Sequence, residues 1–515
     1  MTETTEISLE LLSEQLGTLA FDDPSPPVKT PPATPPAPSH GLLDSVASGA
    51  RKLVERALDS TNHSAAATLK EFVTLPDAIR ANMADVKANP ELERDAVVSR
   101  NNAIPAEELA FQASRKAFCR ESFAKFIGVP VDDVHVDDIP VIAIGGSGGG
   151  MKAMLGTAGY LQGMEEEGLF DSVMYLSGVS GSCWTISTLY TAAACSPTTL
   201  VSHFTKVLPY HPGDVRHIQS LLSPSPSTLV PLFFGGLVQK RITNLPRGVV
   251  DIYGALLALH FGGDGNIDPE KMKLSHHAKW MDGGRAPMPI YTAVRHERPW
   301  KDRVDADVTT ADIEKFTGKK FDEAQAEYDA EGDKEEVVVD LKSKTAWSQW
   351  FELSPFEIGS DELKVWIPSW AFGRKFANFK SVDRVPEQSF ALQVGLVASA
   401  MCAPWTASVQ TFERTKATST FGEKLRARAS KLIAPDAPLS VKEFLSKHPI
   451  HAAYNWNPLY NPLPGVQKPG LENSRRIQLI DAGSDNNQPF YPFTRNGRGV
   501  DVVFCFDSSE DVERN

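Results

Sequence analysis

Apolar residues along this chain gather into three short runs, each of which breaks off at a glycine or an aspartate. Pro140-Val141-Ile142-Ala143-Ile144 opens into Gly145-Gly146-Ser147-Gly148-Gly149-Gly150. Val173-Met174-Tyr175-Leu176 runs into Ser177-Gly178-Val179-Ser180-Gly181-Ser182, and Ile477-Gln478-Leu479-Ile480 delivers Asp481-Ala482-Gly483. Runs this short, bounded by turn residues, read as strands buried on both faces of a sheet. A fourth strand is predicted over 289–294. Helical spacing predicts helices over 69–81, 106–126 and 249–259, and both glycine turns continue as helices, one from Met151 and one beyond Ser182. The aromatic stretches 347–356 and 365–374 read as core packing, with an acyl-chain pocket as the alternative.

The N-terminal segments have a different pattern. Ile7, Leu9, Leu11, Leu12, Leu16 and Leu19 suggest a short amphipathic helix. From 22 to 39 the chain is rich in proline, which removes amide donors and fixes torsions and so excludes a packed core; a spacer outweighs a docking peptide here. The stretch 42–58 is again amphipathic, with Arg51, Lys52 and Arg56 off its apolar face. The expected organisation is therefore an amphipathic, proline-rich and disordered segment over 1–40, an amphipathic helix or linker over 41–64, and one folded body over 65–515. Within that body the acidic run near 301–336 reads as a solvated surface insertion, and 424–431 as a basic helical patch.

Composition narrows the classes. At 42% apolar and 23% charged over 515 residues, most of the chain is of globular type. The net charge of −13 argues against a nucleic-acid partner, because a phosphate backbone calls for a basic surface. Five cysteines, widely spaced and odd in number, fit free thiols in a reducing compartment and no metal site. Met1-Thr2-Glu3-Thr4-Thr5-Glu6 has neither the basic start nor the apolar stretch of a secretory signal, and the run 390–405 is interrupted by Gln393 and Ser399 and is too short to span a bilayer. A cytoplasmic protein, at most peripheral on membranes, is expected.

Strand, glycine turn and helix start together form an anion cradle, since amides at a helix N-terminus lack partners and the helix dipole favours negative charge there. Three uses are open. A Walker-type phosphate loop requires Gly-Lys-Ser/Thr, which Met151-Lys152-Ala153 does not supply. A dinucleotide site calls for an acidic ribose partner after the second strand, where Ser177-Gly178 stands instead. An oxyanion hole needs only two convergent amides near a nucleophile. Ser180 supplies a candidate, because a sharp strand-to-helix turn between small residues holds a hydroxyl above the sheet. Its pattern, Gly178-x-Ser180-x-Ser182, departs from the commoner elbow in ending on serine rather than glycine. Asp481, at a strand end, is positioned as catalytic groups of α/β sheets are, although an aspartate before a turn, taken alone, is an ordinary capping residue. The twelve histidines offer no motif beyond His276-His277.

Taken with 354–359, 367–373 and Arg498-Gly499-Val500-Asp501, these motifs resemble the cytosolic phospholipase A2 / lysophospholipase catalytic-domain family over roughly residues 90 to 507. The resemblance implies an α/β fold: a single large domain with a central mixed sheet flanked by helices, a patatin-like acyl-hydrolase core with Ser180 in a strand-turn-helix nucleophile elbow. It implies a serine-aspartate dyad of Ser180 and Asp481 without histidine, oxyanion amides from Gly149 and Gly150, and headgroup contacts from Lys152 and Arg498. Lys152 stands where the family has arginine, which keeps the charge but loses the bidentate fork. No C2 module is expected ahead of the domain, so calcium-driven recruitment is not implied, and neither cofactor nor metal is called for. The expected partner is a phospholipid membrane surface or a lysophospholipid micelle, and no protein partner is indicated. A lipid-binding member of the fold without turnover, and more remotely a dinucleotide oxidoreductase, are the alternatives.

Overall fold

The computed structural model describes residues 63–210, 215–247, 249–262, 272–297, 347–399, 453–460 and 475–509. The expected segments at 7–20, 22–39, 42–58, 301–336 and 424–431 lie outside these residues. Among the described residues the helices are α1 (His63–Ala84), α2 (Ala106–Ile127), α3 (Gly150–Glu166), α4 (Gly181–Thr191), α5 (Pro197–Val207), α6 (Val215–Leu222), α7 (Pro226–Ile242), α8 (Val249–Gly262) and α9 (Phe390–Leu396), with a short α10 (Tyr491–Thr494).

A nine-stranded sheet forms the centre. Its strands are β1 (Ile142–Gly146), β2 (Val173–Gly178), β3 (Met288–Glu297), β4 (Trp347–Leu353), β5 (Glu357–Ser360), β6 (Val365–Pro368), β9 (Ala453–Trp456), β10 (Arg476–Asp481) and β11 (Val502–Phe506), while β7 (Phe376–Ala377) and β8 (Lys380–Ser381) pair separately. Across the main path the order is β11-β1-β2-β3-β4-β5-β6. The first four of these strands are parallel and the rest antiparallel, so the sheet is mixed, as expected. Every residue of β1 and β2 is buried, which is why both appear as unbroken apolar runs rather than as alternating ones.

Position on β3 decides where the candidate site lies. Tyr291 of β3 pairs with Gly178 of β2 on one edge and with Leu353 of β4 on the other. Two residues on, Ala293 pairs with Phe351 of β4 and with Asp481 of β10. Since β4 holds one edge throughout, β10 must occupy the edge that β2 has just left. The two strands therefore approach each other along one edge of β3 from opposite directions, and the chain after Gly178 and the end of β10 arrive at the same height.

The helix after β2 is packed on all sides. All eleven residues of α4 are buried, as fits a helix in the middle of a protein. Its polar side chains are accommodated by bonds to backbone carbonyls: Ser187 and Thr188 donate to Trp184, Thr191 to Ser187, and Thr185 to Met154 of α3. The largest hydrophobic cluster wraps this helix, taking in Cys183, Trp184, Ile186, Leu189 and Tyr190 together with residues of β1 to β4. The region 192–263, mixed in the sequence reading, is where described α5 to α8 joined by turns, and α7 and α8 build a second apolar cluster with Leu75 and Ile79 of α1.

Candidate active site

Ser180 is the residue the backbone treats most unusually. It stands between β2 and α4 with φ 52° and ψ −116°, a conformation that a side chain with a β-carbon adopts only under constraint. The constraint is packing on both sides. A β-carbon at Gly178 would lie 2.9 Å from the Ser182 backbone, and one at Gly181 would run into the carbonyl of Gly150. Glycine at these two positions lets the chain fold back sharply enough to leave Ser180 at the apex. Ser180 itself is 6% exposed, and its carbonyl accepts the Cys183 amide at 2.9 Å as the first helical turn closes.

The glycine loop after β1 lies directly against this elbow. Its amides are sorted by partner. That of Ser147 donates to the Phe506 carbonyl, and that of Gly148 to the Asn487 carbonyl, both at 2.9 Å. Those of Gly149 and Gly150 stand at the N-cap and first position of α3, where no intrahelical carbonyl can reach them. Both residues have positive φ, 136° and 60°, which turns the loop into the helix. The two amides expected to receive an oxyanion are thus the pair that the fold leaves at a helix N-terminus, and Gly150 is in contact with the residue that follows Ser180.

Asp481 ends β10 and is fully buried. Its amide donates to the Ser399 hydroxyl at 3.1 Å, and its Oδ1 accepts the Gly483 amide at 2.8 Å, as in a helix cap. The carboxylate lies close enough to the elbow to act on its electrostatics: the Cys183 thiol is pushed well above its ordinary pKa by burial, and the negative charge of Asp481 adds to that. Thr292 of β3, between the two strand ends, donates to the Gly178 carbonyl at 2.7 Å. The structure thus brings Ser180, Gly149, Gly150 and Asp481 into one neighbourhood.

A match over most of the chain accompanies this arrangement: the family model for the lysophospholipase catalytic domain covers residues 142–330 and 334–515. The chain belongs to the lysophospholipase catalytic-domain family. As a member of it, the chain is 25% identical over 301 residues to mouse cytosolic phospholipase A2 zeta and 26% identical over 294 residues to human cytosolic phospholipase A2 epsilon. These matches take in 58% and 57% of this chain and 28% of each relative. Human cytosolic phospholipase A2 beta is 23% identical over 433 residues, 78% of this chain and 49% of that protein. The chain therefore spans half or less of the relatives it matches. Its fold is that of human GIVD cytosolic phospholipase A2, with a TM-score of 0.53 at 20% identity, over 81% of this chain and 52% of that one.

One expected headgroup residue of this lysophospholipase-family chain is buried. Arg498 has a fully buried side chain, donating from Nε to Glu108 at 2.8 Å and from Nη1 to Glu352 at 2.7 Å and to the Pro492 carbonyl. Burial works against its charge, but the two carboxylates outweigh burial and hold its pKa above the ordinary value. A guanidinium so surrounded is held in place by its two buried carboxylate partners. The nearby Arg495 is also in use, paired with Glu357 at 2.6 Å and lying 3.4 Å over the Trp366 ring. Lys152, by contrast, is exposed in the first turn of α3.

The histidine pair of the sequence reading lies in the 3₁₀ segment Leu274–Gly284, where the His277 ring stacks on Tyr190 at 5.7 Å and meets Phe390 edge-on. Tyr190 is ten residues along α4 from Ser180, roughly 15 Å at the helical rise, so this imidazole serves the core. Among the described residues no three His, Cys, Asp or Glu side chains gather as a metal site. Sequence reasoning missed Asn487 and Ser399. Asn487 gave no signal, but Ser399 did, as a polar break in an apolar run.

Proposed function

We propose that the chain hydrolyses fatty-acyl esters of glycerophospholipids or lysophospholipids by a Ser180–Asp481 dyad through an acyl-enzyme. Asp481 takes the proton from the Ser180 hydroxyl as its oxygen attacks the ester carbonyl. The amides of Gly149 and Gly150 receive the developing oxyanion, and α4, which begins at Gly181, favours negative charge at its start. The alcohol leaves with a proton returned by Asp481. Water then enters and attacks the acyl carbon as it loses a proton to Asp481, and the acid is released as Asp481 returns that proton to the Ser180 oxygen.

The observation that carries this reading is the meeting of β2 and β10 on one edge of β3, with a strained Ser180 after the first and Asp481 ending the second. Family membership supports the substrate class. Lys152, exposed two residues after the oxyanion amides, is the cation proposed to face a phosphate headgroup. The proposed setting is the cytoplasmic surface of a phospholipid membrane or a lysophospholipid micelle. Among the described residues no helix is long and apolar enough to cross a membrane.

The test offers phospholipids with different acyl chains at the two positions, with and without calcium, to wild type and Ser180→Ala, and identifies the acid released. Release by wild type and none by Ser180→Ala supports the reading, as does a fluorophosphonate probe that labels Ser180. Hydrolysis by a folded Ser180→Ala variant overturns it.

A further inference from the structure

The serine that ends the elbow pattern, where the commoner motif has glycine, has a specific place in the structure. Ser182 is fully buried, as are Ser147 and Thr157. Its hydroxyl donates to the Ser147 carbonyl at 2.6 Å and lies 2.8 Å from Thr157 Oγ1. A hydroxyl has one proton to give, and that of Ser182 is directed at a carbonyl, so Thr157 is the donor of the second bond. The result is a directed chain from Thr157 on α3, through Ser182 on α4, to Ser147 in the glycine loop. Room for it comes from Gly146, where a β-carbon would lie 2.7 Å from both Cβ and Oγ of Ser182.

We infer that Ser182 is a positioning residue, whose hydroxyl, fed by Thr157, holds the glycine loop in register with the nucleophile elbow and so aims the Gly149 and Gly150 amides at the oxyanion. The rest of the loop is fastened from the other side. Ser147 receives the Ser508 amide on its Oγ at 2.8 Å and gives its own amide to Phe506, while Gly148 gives its amide to Asn487. Those bonds fix the loop to β11 and to the segment after Asp481. The backbone bond from Val179 to the Gly146 carbonyl ties the elbow to the strand end, before the loop begins. Ser182 is the side chain that ties the loop itself to α4, the helix that starts at the nucleophile. Thr157, two turns into α3, ties the same point to the helix whose N-terminus presents the two amides. An oxyanion hole depends on such placement, since a shift of about 1 Å in a catalytic group costs on the order of a hundredfold in rate.

The inference rests on the proposed dyad, and the experiment keeps the two apart. Ser182→Ala, Thr157→Val and Thr157→Ser are compared with wild type in kcat and KM on a monomeric ester, in affinity for a trifluoromethyl ketone that forms an oxyanion on addition of serine, and in amide exchange at Gly149 and Gly150. Ser182→Ala is expected to lower kcat about tenfold or more with KM within about twofold, and to weaken the ketone in step with kcat/KM. Thr157→Val loses several-fold and Thr157→Ser, which keeps the hydroxyl, recovers it. The double variant Ser182→Ala/Thr157→Val is no worse than Ser182→Ala, because both break one chain. Exchange at the two amides rises in Ser182→Ala and Thr157→Val. Wild-type kcat in Ser182→Ala, a change in KM alone, additive losses, or unchanged exchange overturns the inference. An inactive wild type or an active Ser180→Ala variant counts against the dyad instead, and the exchange measurement still decides whether Ser182 holds the loop. Should Ser182→Ala fail to fold, the near-isosteric Thr157→Val and its Thr157→Ser control decide the matter.

Discussion

Gly181 lies directly against Gly150, with no space between them for a side chain: a β-carbon on Gly181 would run into the Gly150 carbonyl and within 3.0 Å of its Cα. One contact thus sets the spacing between the nucleophile's helix and the oxyanion loop. Gly181→Ala is expected to push the two apart. The obstruction is backbone, which cannot swing aside as a side chain can, so overpacking should cost about 1–3 kcal/mol of stability. Activity should fall by a larger factor than stability accounts for. Urea midpoints and kcat at a temperature where the variant is fully folded check both.

Lys152 and Arg498 are expected to differ in the kind of loss they cause. Replacing Arg498 with methionine leaves Glu108 and Glu352 buried without their cation, a change of the type that costs roughly 3–5 kcal/mol. Its mark is a lowered denaturation midpoint whatever the substrate headgroup. Lys152→Ala, at an exposed position, should leave the midpoint unchanged and raise KM for anionic or phosphate-bearing substrates relative to a neutral ester. A stable, headgroup-selective Arg498→Met variant would reverse this assignment.

The strand and elbow could be read from the chain because they depend on local signals. Ile142–Ile144 and Val173–Leu176 are apolar throughout since β1 and β2 are buried on both faces, and each strand ends on a glycine, Gly146 and Gly178, where the chain turns. Asp481 could be placed at a strand end for the same reason. The edge of β3 that β10 would take could not be read, because that pairing joins Asp481 to Ala293 across almost two hundred residues with no local trace. The fate of Arg498 was hidden in the same way. Its partners Glu108 and Glu352 are 390 and 146 residues distant, and nothing near Arg498 marks it as buried. The Ser147 loop was legible as a cradle, but its fastening to Ser508 spans 361 residues.

Glu387 predicts a pH dependence of stability. It is buried, accepts from the Ser275 amide at 3.0 Å and also from the Ser275 hydroxyl, and burial pushes its pKa from an ordinary 4.5 up to about 7. The folded state therefore holds this proton more tightly than the unfolded chain. The stabilisation is fully present below about pH 4.5, declines as pH rises, and is gone above about 7. Glu387→Gln, neutral at every pH, should lose less stability than wild type between pH 5 and 7.5, by about 2 kcal/mol. Urea unfolding of both proteins at the two pH values measures the difference. Parallel losses would remove Glu387 as the source.

Ser399 should matter to Asp481 in a graded way. Its hydroxyl accepts the Asp481 amide and donates to the Leu396 carbonyl at 2.9 Å, joining the end of α9 to the end of β10. Removing that oxygen leaves a buried amide at Asp481 without this acceptor, a loss of about 1–3 kcal/mol. The carboxylate itself is untouched by the change, so Ser399→Ala should retain a dyad with a looser base. Its kcat should drop by about tenfold, well short of the orders of magnitude expected for Asp481→Asn. The pH dependence separates the two cases: Ser399→Ala keeps the wild-type acid limb of kcat/KM, because the same carboxylate still titrates, whereas any residual activity of Asp481→Asn lacks it. An acid limb that survives Asp481→Asn would point to another base and remove Asp481 from the chemistry.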